Sequence, residues 1–231
     1  MTIRLYDVAG QDSNHRFSPF CWRIKMALSH KGLPFETIPW HLTDKSAIAD
    51  SGQGRAPVIE DGEHTLHDSW RIACYLDSAY PNTPPLFTDA SAKAHALFIK
   101  FWCERDLHDA IRPIIILDLL KAFHEKDKAY FRESREKLFK MTLERFAAEE
   151  EKKQAALDRA LVPLRDSVSL NQYIGGAQPS FADFIVFGAF QWARAVSPTQ
   201  LVTSSDPIYA WRDRLLDAYG GIAGKAKGYA V

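Results

Sequence analysis

Cysteine is scarce in this sequence and scattered where it occurs. Three residues, Cys21, Cys74 and Cys103, lie far apart and no two form a ligand pair, which argues against a disulfide framework or a zinc site. His64 and His67 bracket a short strand-like stretch, but no cysteine or carboxylate cluster joins them at a metal-ligand spacing, so they read as surface histidines. No apolar run approaches the ~20 residues of a membrane span, and MTIRLYDVAG reads as a strand without the apolar core of a signal peptide. The expectation is a cytoplasmic protein that does not enter membranes. Excess charge of either sign is missing too: 29 basic and 29 acidic residues give a net charge of +0, without the basic bias of nucleic-acid-binding faces. Internal repeats and low-complexity tracts are likewise absent.

What remains is a chain of 231 residues, 46% hydrophobic and 25% charged, which has room for two domains of ~100–150 residues each. Residues 2–7, TIRLYD, alternate like a strand, and a helix-period run follows from Pro19 through Lys31, stopped by Gly32. FETIPW (35–40) is a second strand, followed by the glycine-rich DSGQGR. PVIEDG and HTLH then form two short strands around a turn at Asp61 and Gly62, before a helix carrying Trp70, Ala73, Leu76 and Tyr80. The order is βαβαββα, which predicts a small mixed sheet with helices packed on it. Three prolines in YPNTPPLF (80–87) mark a linker. Beyond it, 89–123, 127–167, 181–195 and 207–219 carry apolar residues at helical spacing, and Pro113 predicts a kink in the first. The AEEEKK run inside the second reads as solvated surface. The expected domains are 1–80, a linker at 81–88, and an all-helical 89–231.

RFSPFCWR (16–23) raises the chemical question. Ser18 followed by Pro19 where a helix begins reads as N-cap and N1, since proline lacks the N–H that would go unpaired there. The capping oxygen accepts from one turn inside the helix, leaving the hydroxyl proton free to donate to an anion that also feels the positive end of the helix dipole. A thiolate placed there is favoured over its thiol, and a free thiol of pKa ~8.5 shifts down by ~1–2 units. The plainer alternative is that Ser18 only caps the helix. Cys21, at N3, reads as a buried apolar filler or, in the redox alternative, as a thiol-disulfide centre.

These residues resemble the cytosolic glutathione transferases, which pair a thioredoxin-like N-terminal domain with a helical C-terminal one. Four motifs carry the likeness over nearly the whole chain. SPFCWR (18–23) is similar to the signature of serine-type members, RAPVIEDG (55–62) to the segment with a cis proline beside the cysteinyl moiety of glutathione, DSW (68–70) to the pair that holds the γ-glutamyl end, and PSFADF (179–184) to the capping box of the core helix in the second domain. The resemblance implies that Ser18 stabilises the glutathione thiolate, that Arg55 and Ala56 bind the tripeptide backbone with Pro57 in the cis form, and that Asp68 and Ser69 hold the γ-glutamyl group.

Elementary chemistry agrees. An extended edge at Ala56 offers N–H and C=O to a peptide, and a helix start at Asp68 and Ser69 suits a carboxylate while Asp68 answers an ammonium. Ser180 and Asp183 read as a reciprocal cap with a structural role, worth ~1 kcal/mol. Tyr6, where tyrosine-type members place their catalytic hydroxyl, is a rival to Ser18.

The activity implied is attack of the thiolate on a small hydrophobic electrophile by an enzyme that needs glutathione as co-substrate and no metal, acts in detoxification and forms a homodimer. Phe17, Trp40 and Trp102 are aromatic candidates near the domain junction. SPFCWRIKMALSHKGL and DSWRIACYLDSAYP further resemble bacterial β-etherases and their fungal relatives, which open aryl ethers with glutathione. A binding protein of the same fold, holding glutathione and apolar ligands without turnover, is the alternative of a different class.

Overall fold

The computed structural model describes residues 2–148 and 150–230; the side chains of Glu150 and Glu151 and all of Glu149, part of the AEEEKK run, lie outside the described residues. Strand β1 (Ile3–Val8) leads through a long loop into α1 (Pro19–His30), β2 (Phe35–Trp40), a 3₁₀ segment (Lys45–Ser51), β3 (Val58–Asp61), β4 (His64–His67) and α2 (Ser69–Ala79). The sheet order is β2-β1-β3-β4, with β2 parallel to β1 and the other pairs antiparallel. This is the expected thioredoxin-like arrangement.

Local chemistry explains the elements. In β1, Ile3 and Leu5 are buried while Arg4 between them is exposed, the period-two signature of a strand. Helix α1 starts as expected, with Cys21 N–H donating to Ser18 Oγ at 3.3 Å and Pro19 at N1, and it stops before Gly32, whose φ of +68° suits a residue without Cβ. Asp77 ties down the linker: its carboxylate accepts from Leu86 N–H at 2.9 Å and Phe87 N–H at 3.0 Å and pairs with Lys31 Nζ at 2.8 Å.

The rest of the described chain is helical: α3 (Ala90–Trp102), a π turn (Cys103–Leu107), α4 (His108–Ala122), α5 (Glu125–Phe139), α6 (Leu143–Ala147), α7 (Glu150–Leu170), α8 (Phe181–Val196) and α9 (Pro207–Gly221). Two expectations change. The run at 127–167 is three helices: Lys140 adopts a left-handed φ of +56° that ends α5, and Thr142 Oγ1 then accepts from Arg145 N–H at 3.2 Å to start α6. The irregularity expected at Pro113 lies upstream in the π turn, and α4 runs through Pro113.

Nearly every side chain of α8 is buried, as a helix apolar all round must be, and it forms the spine of the core. It lies against α1 so closely that a Cβ on Gly188 would come 2.4 Å from Pro19 O. The cap at its start does more than expected. Asp183, with no exposed surface, accepts from Ser180 N–H (2.9 Å) and Oγ–H (3.1 Å), Ile174 N–H (2.7 Å), Gly175 N–H (3.0 Å) and Trp211 Nε1–H (2.9 Å), joining α8, α9 and the loop before α8.

Candidate active site

Sheet register brings the expected site residues to one end of the sheet. Tyr6 of β1 lies opposite Val58 of β3, and Val58 opposite His67 of β4. Three chain segments therefore meet at that end: the loop leaving β1 toward Ser18, residues 55–57 entering β3, and Asp68 and Ser69 leaving β4. The loop is fixed from the helical half, since Gln11 N–H donates to Ala122 O at 3.3 Å and His15 Nε2 lies 2.6 Å from Ala195 O. Gly10 allows this approach, because a Cβ there would stand 2.5 Å from Ala122 O.

Ser18 is 6% exposed, and its Oγ accepts the capping bond. Its hydroxyl proton has the Cys21 sulfur as a neighbour in the same turn, where a hydrogen bond from Ser18 works against the effect of burial on that thiol, and among the described residues no other acceptor meets it. The Ala56-Pro57 bond is cis, as expected. Ala56 lies outside the strand ladder, and among the described residues no hydrogen bond engages its N–H or C=O; Arg55 is exposed, and its carbonyl accepts from Gln53 Nε2. Asp68 caps α2, its Oδ1 accepting from Trp70 N–H at 3.1 Å and Arg71 N–H at 3.0 Å, while Ser69 is buried behind it. Asp68 has φ +69° and ψ 123°, a region that costs a residue with a side chain about 1–3 kcal/mol and that clusters at ligand clamps.

Both rivals have partners of their own. Tyr6 donates to Glu60 Oε1 at 2.7 Å, and because Glu60 lies opposite Arg4, the ring leans back along β1, away from the end where Ser18 stands. Burial, then the bond to Glu60, raises its phenol pKa. Cys21 has no exposed surface; burial, then the charge of Asp7, pushes its thiol well above the ordinary value, so it is a poor nucleophile. Phe17 and Trp40 are 1% exposed and belong to the core, which leaves Trp102, half-buried, as the one expected aromatic with accessible surface. His64 packs on Tyr75 at 5.6 Å and His67 faces Arg71; among the described residues no three His, Cys, Asp or Glu side chains gather into a metal-holding group. A cavity of about 370 Å³ lies on the β2 side, lined by residues such as Arg16, Trp22, Lys25 and Phe35, and shares no residue with the Ser18 site.

Sequence reasoning missed the part of α5. Thr43 donates to Asp127 Oδ1 through N–H at 2.9 Å and Oγ at 2.7 Å, and Lys45 reaches both Gly54 O, at 2.7 Å, and the Tyr130 ring, at 5.2 Å. This helix therefore lies along the loop that carries Arg55, and no local motif announces it. Among the described residues, no helix is long and apolar enough to cross a membrane.

Comparisons with known proteins agree with this architecture. Residues 14–84 match the family model for the glutathione S-transferase N-terminal domain, and residues 94–215 that for the C-terminal domain. Glutathione S-transferase U2 of Arabidopsis thaliana is 33% identical over 108 residues, 46% of each chain, and the match to the zeta-class enzyme of Euphorbia esula likewise spans about half of that relative's length. Glutathione transferase GSTFuA3 of Phanerochaete chrysosporium superposes with a TM-score of 0.86 at 23% identity, covering 95% of this chain and 97% of its own. With two family models that between them take in both the sheet half and the helical half, the chain belongs to the glutathione S-transferase family.

Proposed function

We propose that the protein is a glutathione transferase in which Ser18 holds the glutathione sulfur as a thiolate for attack on a small hydrophobic electrophile. The observation that carries this reading is the Ser18 hydroxyl, which caps α1 at the sheet end where the cis bond and the strained Asp68 also lie. Glutathione bound there would lay its backbone on the free N–H and C=O of Ala56, beside Arg55 and Pro57. Asp68 would answer its γ-glutamyl ammonium, and Ser69 with the α2 N–H groups its carboxylate.

The chemistry follows from charge. The thiol loses its proton to solvent, the Ser18 O–H and the positive end of α1 stabilise the sulfur anion, and the sulfur forms a C–S bond as the leaving group departs with its electron pair. Holding both reactants together supplies the proximity term. With a β-aryl ether the bond broken is C–O, and the aryloxide leaves and takes up a proton; the sequence resemblance to etherases supports this reaction beside general conjugation. The reading includes the domain limits 1–80 and 89–231, a cytoplasmic location and a homodimer. Phe98 and Phe101 on α3, 70% and 48% exposed, support a protein contact on that helix.

Conjugation of a chromogenic aryl halide and cleavage of a β-aryl ether model compound, run side by side with glutathione, test the activity. Turnover of either supports a transferase. Tight glutathione binding with neither reaction would support the carrier reading instead.

A further inference from the structure

The cavity on the β2 side of the sheet stands apart from the Ser18 site and is built from four segments. The loop before α1 gives Arg16, α1 gives Lys25, β2 gives Phe35 and Thr37, and the chain after α9 gives Ile222 and Ala226. That last wall is tied down by the chain's own bonds. The Arg194 guanidinium donates to Gly224 O at 3.1 Å and Ala223 O at 3.3 Å, Tyr229 N–H donates to Arg194 O at 2.9 Å, and Lys227 Nζ meets the Asp12 carboxylate at 2.9 Å. Phe35, Ile222 and Ala226, each partly exposed, give the space apolar sides, the usual make-up of a small-molecule site.

Two cations line the cavity, and they differ in how they are answered. Lys25, buried, has the Asp7 carboxylate 2.8 Å from its Nζ. Arg16, half-buried, directs its hydrogen bonds to neutral carbonyls: Nε donates to Ser13 O at 2.5 Å and a terminal nitrogen to Asp7 O at 3.0 Å, and among the described residues it forms no ion pair. Asp12 is near enough for its charge to act on Arg16, but its carboxylate already takes Lys227 Nζ and, at 2.9 Å, Asn14 N–H. Arg16, Lys25 and Lys227 thus face two carboxylates. One positive charge is left over, and the guanidinium that carries it lines a cavity with apolar sides.

Size narrows the ligand further. A cavity of ~150 Å³ holds benzene, so one of about 370 Å³ takes two fused rings with an acid group. A guanidinium meets a carboxylate in a two-point fork, and Asn14 and Thr37 line the same space with an amide and a hydroxyl. We propose that this cavity is a second ligand site, separate from the glutathione site, that takes a two-ring aromatic carboxylate with Arg16 as its anchor. Turnover at Ser18 is not needed for it.

2-Naphthoate and 2-naphthamide, which differ in charge and little in shape, test the site by equilibrium dialysis against the full chain. Each is measured alone and with S-hexylglutathione saturating the glutathione site, for the wild type, Arg16→Gln and Ala226→Trp. The indole placed at 226 fills the cavity from its outer wall, so this variant decides the matter even where Arg16→Gln fails to fold. The expected result is one equivalent of 2-naphthoate, bound at least ten-fold more tightly than the amide and still bound when S-hexylglutathione is present. That preference falls below two-fold in Arg16→Gln. Ala226→Trp weakens both ligands at least ten-fold while its affinity for S-hexylglutathione stays within two-fold of the wild type. No binding of 2-naphthoate, or equal affinity for acid and amide, overturns the proposal. So does its displacement by S-hexylglutathione, which would put it in the Ser18 site, or wild-type affinity in Ala226→Trp. Failure of the glutathione reading looks different: S-hexylglutathione itself does not bind, while the preference for the acid and its loss in Arg16→Gln are unchanged.

Discussion

Ser18→Ala removes an oxygen that accepts from Cys21 N–H and, in the proposed mechanism, donates to the glutathione sulfur. The two losses have different sizes. The capping bond is 3.3 Å long, beyond the usual N–H···O distance, so its removal costs near the lower end for N-caps, about 0.5–1 kcal/mol, or about 1–4 °C in Tm for a chain of this size. A hydrogen bond to a full charge is worth about 1.5–3 kcal/mol, which at 1.36 kcal/mol per unit is roughly 1–2 units of thiol pKa. With an ordinary thiol near ~8.5, the bound sulfur of the wild type should titrate between about 6.5 and 7.5 and that of Ser18→Ala near ~8.5. Because the bound pKa is the lowered one, the defect must be greatest on the acid side: ten- to hundred-fold in kcat/KM below pH ~6.5, shrinking to little above pH ~9 as both proteins hold the full thiolate. Ultraviolet titration of the bound thiolate and the pH profile of conjugation read the same quantity independently. Coincident titrations for the two proteins would refute the reasoning. A larger loss in Tyr6→Phe than in Ser18→Ala would move the role to the tyrosine, whose hydroxyl faces Glu60 here.

Asp183→Ala should lower Tm by more than about 5 °C in a thermal melt, since it strands the buried Trp211 Nε1–H at a cost of about 1–3 kcal/mol and frees the less buried N–H groups of Ile174 and Gly175; a shift under about 2 °C would contradict the hub role. Gly188→Ala should destabilise by about 1–3 kcal/mol in urea unfolding, because its Cβ meets the Pro19 carbonyl at 2.4 Å, and a neutral result would mean the two helices part freely. A thiol reagent applied to the folded protein at pH ~7.5 should label Cys74, which is partly exposed, and spare Cys21 and Cys103; burial pushes the Cys103 thiol up to about 12 and holds that of Cys21 well above its ordinary value. Mass spectrometry of the labelled peptides decides it, and rapid labelling of Cys21 would reopen the redox alternative.

The sheet half was legible because its signals are local. The alternation in β1, the serine and proline before α1 and the glycine after it each act within a few residues, so the order βαβαββα could be read directly, save that its second helix is only the 3₁₀ segment at Lys45–Ser51. The cap at Ser180 was legible for the same reason, but the other donors to Asp183 come from the preceding loop and from Trp211 on α9, and no spacing rule joins them. The division of 127–167 into three helices was hidden because Lys140 takes a left-handed conformation without being glycine or asparagine. The placement of α5 was hidden more deeply: Thr43 and Asp127 stand 84 residues apart in the two halves, so only the folded chain brings them into hydrogen-bond contact.

The missing side chain at Gly188 has a consequence for any attempt to recombine the halves. Because the spine of the second half touches the bare backbone where the first half begins α1, this sheet half cannot be seated on another bundle as a free module. A graft that carried the sheet half onto a foreign bundle would fit only where that bundle offered the same bare notch.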